Sequence, residues 1–259
     1  MADSSIVRTA AMLVIGNEVL TGKVEEANVV VAAKMFFELG IALRRIVVCI
    51  DDVDVIAEDV QRLSSAYDVV ITSGGIGPTH DDVTYAGVAK AFGRRLVRSV
   101  ELEAMLRNYH QEKKLAISDA QLRMADIVEG CRLLRSPEAR WPTLAIENVY
   151  VLPGVPQIFR MKIPLIREDL DQGQRLHSLS VYTRQREGEI AALLEELEAR
   201  FEGVQVGSYL AWNSELYAVK VTFDGRDEAQ AKAAADAFVA EIGDNFVSRE
   251  DPATANSSS

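Results

Sequence analysis

The chain has 259 residues, 48% hydrophobic and 26% charged, with a net charge of −11. At roughly 150 residues per domain this is one large domain or two modest ones, with the composition of an ordinary globular protein. The acidic balance excludes gripping a nucleic acid backbone or an anionic membrane by bulk electrostatics, but leaves room for a local pocket that takes a small anion.

Residues 1–9 are polar and carry no apolar signal core, and no apolar run reaches 18 residues. The two cysteines, Cys49 and Cys131, form neither a CxxC pair nor a zinc spacing. The expectation is a cytoplasmic protein with no nucleic acid or membrane partner. Residues 10–15, 46–50 and 69–72 are Val/Ile-rich apolar runs, suited to strands buried on both faces of a parallel sheet. Between them, 28–39 places Val29, Ala33 and Phe36 on one helical face and stops at Gly40, and 55–66 places Ile56, Val60 and Leu63 at helical spacing. A further helix, 83–92, closes at Gly93. This βαβαβα order predicts an α/β domain with a mainly parallel sheet.

The middle is less regular. Helices are expected at 100–114 and at 118–125 with Ser118 as N-cap, and strands at 132–134 and 144–152 around the loop 136–142. A helix over 155–171 contains Pro164, which predicts a kink or break. Beyond a boundary near residue 173 the pattern changes to strand 175–185, helix 187–200, strands 204–210 and 216–223, and helix 227–242. That β-α-β-β-α order predicts a small α+β domain over 174–243, following a first domain over 8–173. Residues 244–259 have few apolar anchors and read as a flexible tail.

The segment from Ile71 to Thr84 (ITSGGIGPTHDDVT) carries the most chemistry. A buried strand ends at Ser73, a glycine-rich turn follows, and a helix is expected to open near Asp81 or Asp82. Loops at the carboxyl ends of parallel strands bind ligands, and backbone N–H groups at a glycine turn before a helix suit phosphate. Two carboxylates there would repel a bare phosphate. A divalent cation held by Asp81 and Asp82 against the phosphate oxygens resolves the conflict; the alternative is that both only cap the helix. A P-loop is excluded, because six residues separate Gly16 from Lys23 and Val24 stands where Ser or Thr is needed. No strand is followed by GxGxxG, and there is no GxSxG elbow. His80 lies inside the loop and is a weaker candidate. His110 and His177 read as surface or packing residues, and Trp212 as core or interface packing rather than ring stacking.

The turn Gly74-Gly75-Ile76-Gly77 with Asp82-Val83-Thr84 resembles the signature of the molybdopterin-binding family of molybdenum-cofactor biosynthesis. The full string is most similar to the bacterial competence- and damage-inducible protein A group and to the N-terminal domain of eukaryotic FAD synthase. Further matches are the turn 16–22 after the first strand, Asn28, the acidic pair Asp51-Asp52, and the LPGVP turn 152–156. The resemblance extends from about residue 9 to 243. It departs at Asn17, where the family's GDE reads Gly16-Asn17-Glu18, so an amide replaces a carboxylate and brings no charge.

The resemblance implies a three-layer α/β sandwich, a small phosphorylated ring ligand (molybdopterin or a nucleotide), and a homo-oligomer. It implies a divalent cation, Mg²⁺ or Co²⁺, and hydrolysis of a nucleotide pyrophosphate such as ADP-ribose or FAD. Carried over, Asp82 is the acid of the catalytic turn and Asp81 its metal-binding neighbour. Ser73, Gly74, Gly75, Gly77, Thr79 and Gly154 surround the phosphate, with Asn17, Glu18 and Asp51 behind them. The chain stops before any amidase or adenylyltransferase domain, so neither nicotinamide-nucleotide deamidation nor FAD synthesis is expected. Asn17 keeps open a non-catalytic binding module or an oligomeric scaffold.

Overall fold

A computed structural model describes residues 8–136, 140–173, 175–212 and 214–252, divided into two compact units between residues 172 and 173. Part of the expected loop (137–139) and residues 253–259 of the expected tail lie outside the described residues.

The first unit is built on β1 (Thr9–Ile15), β2 (Ala42–Cys49), β3 (Val69–Ser73), β6 (Arg132–Leu134), β7 (Thr143–Ile146) and β8 (Val149–Leu152). They form one sheet in the order β2-β1-β3-β8-β7-β6. The first four are mutually parallel, while β7 and β6 join antiparallel at one edge. Strand β1 shows why layers form on both faces. Successive side chains point to opposite faces, and both sets are apolar. Ala10, Met12 and Val14 enter one core with helices α2 (Asn28–Glu38) and α7 (Pro156–Leu170). Ala11, Leu13 and Ile15 enter the other with α3 (Val53–Ala66) and α4 (Thr84–Ala91). The result is the three-layer α/β sandwich with a mainly parallel sheet.

Several elements differ from the sequence reading. Strand β2 is not buried on both faces: it is the sheet edge, and Ile46 and Val48 are 46% and 37% exposed. Helix α3 opens two residues early because Asp52 caps it, accepting from Asp54 N and Val55 N. The single strand expected over 144–152 is a hairpin, turning at Glu147 with φ +48. Helix α7 begins with Pro at its first position and runs through Pro164 without ending. A short helix α1 (Asn17–Leu20) and the two-stranded pair β4 (Leu96–Arg98) and β5 (Asp126–Val128) were not anticipated. Helices α5 (Val100–Glu112) and α6 (Asp119–Leu122) lie where expected, α6 with Ser118 in a capping box. His110 is buried, its Nδ1 against Leu106 O.

The second unit has β9 (His177–Thr183), α8 (Glu187–Arg200), β10 (Val204–Leu210), β11 (Val219–Gly225), α9 (Glu228–Ile242) and β12 (Phe246–Ser248). Its antiparallel sheet runs β10-β11-β9-β12. Ile190 and Leu197 of α8 and Phe238 of α9 pack on Val181, Val221 and Phe223. The expected flexible tail is corrected at its start: Phe246–Ser248 pairs with β9. Trp212 is 86% exposed and is not core packing.

Candidate functional site

The chain passes from β1 to β2 on one side, then returns to place β3 on the other side of β1. This reversal opens a crevice at the carboxyl ends of β1 and β3, where such sheets bind ligands. Three loops meet there. Gly16 N donates to Cys49 O, and Asn17 N donates to an Asp51 carboxylate oxygen at 2.8 Å, tying the loop after β1 to the loop after β2. Gly74 N donates to Leu152 O, tying the loop after β3 to the loop after β8. Asn28, buried at the start of α2, donates through one amide nitrogen to Ser73 Oγ (2.9 Å) and Gly154 O (2.8 Å). Its own Oδ1 is buried without a partner.

The glycine turn is shaped by contacts within the protein. Gly74 has φ +114, and a Cβ there would lie 2.0 Å from Ile15 O. Gly75 has φ +64, and its Cβ would meet Thr84 Oγ1 at 2.3 Å. Thr84 uses that hydroxyl to donate to Gly74 O at 2.9 Å, and its N–H donates to Gly75 O. The turn is thereby pinned to the first residue of α4. That helix starts at Thr84, beyond the expected opening near Asp81 or Asp82, with Val83 at its N-cap and no side-chain cap. Asp81 and Asp82 are therefore not its caps. Asp82 accepts Thr79 N at 2.8 Å and also faces the Thr79 hydroxyl, whose other neighbour is Asp81 at 2.6 Å.

A cavity of about 500 Å³ lies against this turn. Gly74, Gly75, Gly77, Asp82, Gly154 and Glu18 line one part of it, and Met124, Trp141, Ile158, Val24 and Val155 give it apolar walls. Thr79 and His80 line an adjoining cavity of about 350 Å³ with Arg123 and Asp126, and Asp82 borders both. Of the other expected site residues, Ser73 is buried and bonded to Asn28, while Asn17, Asp51 and Asp81 stand outside both linings. Asp51 still feels the site. Burial raises its carboxyl above the ordinary value, the Asn17 N–H lowers it, and the charges of Glu18, Asp81 and Asp82 raise it again. These four carboxylates form one negative field. Asp81 is held below the ordinary value, first by the Thr79 hydroxyl. Among the described residues no three His, Cys, Asp or Glu side chains form a metal cage. The pair on Thr79 suits a hard cation that takes its remaining ligands from phosphate and water, as Mg²⁺ does.

Sequence reasoning missed Trp141, Met124 and Lys162. Lys162 lines the cavity yet is only 2% exposed, and burial pushes its ammonium down to about 8. A signal was available: Phe159, Lys162, Ile166 and Leu170 are the buried residues of α7, so this lysine occupies a core position of an amphipathic stripe.

The fold and the site define an α/β ligand-binding domain with a glycine turn at the switch point of its sheet. Residues 11–170 match the family described as "Probable molybdopterin binding domain", to which the chain belongs. Residues 175–251 match the family described as "FAD synthase, middle domain". The chain is 33% identical to a "Probable FAD synthase" of Caenorhabditis elegans over 241 residues, 84% of this chain but 46% of that protein. It thus spans about half the length of that relative. It is 33% identical over 225 residues to a protein of Archaeoglobus fulgidus, covering 86% of this chain and 93% of the other. The crystal structure of CinA from Thermoplasma acidophilum, of unknown function, shares 30% identity with a TM-score of 0.58, covering 64% of this chain and 99% of that one. No helix among the described residues is long and apolar enough to cross a membrane.

Proposed function

We propose that the first unit binds a phosphorylated ring compound, a pterin or a nucleotide, and hydrolyses a nucleotide pyrophosphate such as ADP-ribose or FAD. One observation carries this reading: a glycine turn, Asp82 and Glu18 share a cavity of about 500 Å³ with apolar walls that include Trp141, Met124 and Ile158. A cavity that is mostly apolar with a few convergent polar groups is what an aromatic ring bearing phosphate requires. Asp81 and Asp82 would hold the Mg²⁺ or Co²⁺, which neutralises phosphate charge when bound. In the reaction a water oxygen adds to one phosphorus, the bridging oxygen leaves with the other phosphate, and Asp82 takes the water's proton. The match of residues 175–251 to the middle domain of FAD synthase supports a flavin nucleotide among the substrates.

The purified protein with Mg²⁺ or Co²⁺ is expected to release AMP from ADP-ribose or FAD, and Asp82→Asn to lower the rate at least 100-fold. Absence of AMP across both substrates and both metals would refute the hydrolase. A binding module is the second reading, favoured by the uncharged Asn17; it predicts thermal stabilisation by the same compounds without turnover.

A further inference from the structure

Arg123 lies on the single turn Arg123–Ala125 between α6 and β5, and it lines the adjoining cavity of about 350 Å³. Among the described residues it is the only Lys or Arg of that lining. Two carboxylates line the same cavity, yet neither pairs with it. Asp126 accepts Arg98 Nε on one oxygen and Arg98 Nη2 at 3.2 Å on the other. Asp82 is turned to the N–H and hydroxyl of Thr79. Arg123 is exposed, with no carboxylate within 4 Å among the described residues. Arg95 and Arg98, by contrast, are held by Glu129 and by Glu103 with Asp126. A guanidinium is a planar fork of N–H donors that matches two phosphate oxygens at once. Arg123 can engage an anion without first breaking an ion pair. His80, in the same lining, makes no hydrogen bond among the described residues, and its ring nitrogens suit a hydroxyl.

The two cavities meet in one place: Ile76, Gly77, Asp82 and Met124 belong to both linings. Asp82 is the group assigned above to take the proton of the attacking water, so the bond that breaks lies where the cavities join. A substrate cleaved there extends one end into each. The two ends face different chemistry. The main cavity is the larger, about 500 Å³, and its walls are mostly apolar. In the adjoining one, Thr79, His80, Asp82, Arg123 and Asp126 make a greater share of the wall polar.

We propose that the adjoining cavity is a second ligand subsite, in which Arg123 binds the phosphate of a hydroxylated group without a flat ring, a sugar phosphate. This rests on the reading of Asp82 given above and deepens it. The substrate lies with its aromatic half in the main cavity, its scissile bond at Asp82 and its sugar phosphate against Arg123.

The two halves of ADP-ribose, AMP and ribose 5-phosphate, are the probes, titrated calorimetrically against the whole chain in Mg²⁺. They are expected to bind together, saturating AMP leaving the affinity for ribose 5-phosphate within about threefold. Arg123→Met is expected to weaken ribose 5-phosphate roughly tenfold or more and AMP by less than about twofold. Mutual exclusion of the two compounds, binding of AMP alone, or equal effects of Arg123→Met on both would overturn the second subsite while leaving ring binding intact. Failure of the unaltered protein to bind either compound would overturn the phosphate-binding reading itself, and the subsite with it. The measurement needs no turnover, so the expected pattern in a protein that releases no AMP from ADP-ribose would refute the role of Asp82 and leave the two subsites standing. Because Arg123 is exposed and unpaired, the Met variant is expected to fold, with a urea midpoint equal to that of the unaltered protein.

Discussion

Lys162 shows how one residue sets a pH response. Its ammonium ionises at about 8 in the folded chain, against an ordinary 10.5, because burial disfavours the charge. Below about 8 both states hold the proton and the full penalty weighs on the fold. Between about 8 and 10.5 the unfolded chain holds more protons, so stability rises with pH. The urea midpoint of the unaltered protein, relative to that of Lys162→Met, is expected to climb between pH 7.5 and pH 10. A gap independent of pH would mean that Lys162 is solvated. The Oδ1 of Asn28 is another buried polar atom beside the site, and it has no partner. Its amide nitrogen is fully committed, holding the loops after β3 and β8 together.

At the scale of elements, the acidic pair Asp51-Asp52 divides its work. Asp52 accepts two amides at the start of α3, while Asp51 reaches across to Asn17 N. Asp52→Ala is expected to cost about 1 kcal/mol in urea unfolding, with AMP release unchanged; a loss of turnover as large as that of Asp82→Asn would contradict this division. The legible elements were those whose pattern is local. Strands β1 and β3 read as continuous apolar runs, and α3 and α8 as apolar stripes at helical spacing. The three-residue strands β4, β5 and β12 are too short to show a period. The β7–β8 hairpin was hidden because Glu147-Asn148 interrupts an apolar run by only two residues. The glycine turn and Asp82 were legible as a motif, but Lys162 was not. Its signal lies in the spacing of Phe159, Lys162, Ile166 and Leu170 along α7, against the ordinary reading of a helical lysine as solvent-facing.

The molecule as a whole has separate cores. Among the described residues, β1, β3 and β8 with α2, α3, α4 and α7 make two in the first unit, Leu102 and Leu106 of α5 with Ala125 make a small third, and β9, β11, α8 and α9 make one in the second. Phe238, fully buried against Phe223, belongs to the latter. Phe238→Ala is expected to cost about 3–5 kcal/mol in the second unit. Hydrogen exchange should speed up across 177–248 and remain slow in β1 and β3. Uniform acceleration over both units would show that they unfold as one.

The contacts that demand glycine at positions 74 and 75 are made by the protein's own atoms: the Ile15 carbonyl and the Thr84 hydroxyl. At 154, a Cβ would stand 3.3 Å from the Gly74 backbone. These glycines are thus fixed by architecture before any substrate arrives. A relative that has lost its chemistry would still have to keep them. The string that reveals the family is consequently a record of how two loops are joined, whereas on the function proposed above a loss of chemistry would register at Asn17 and Asp82. Those side chains, free of that constraint, are where divergence in what the fold is used for should first be sought.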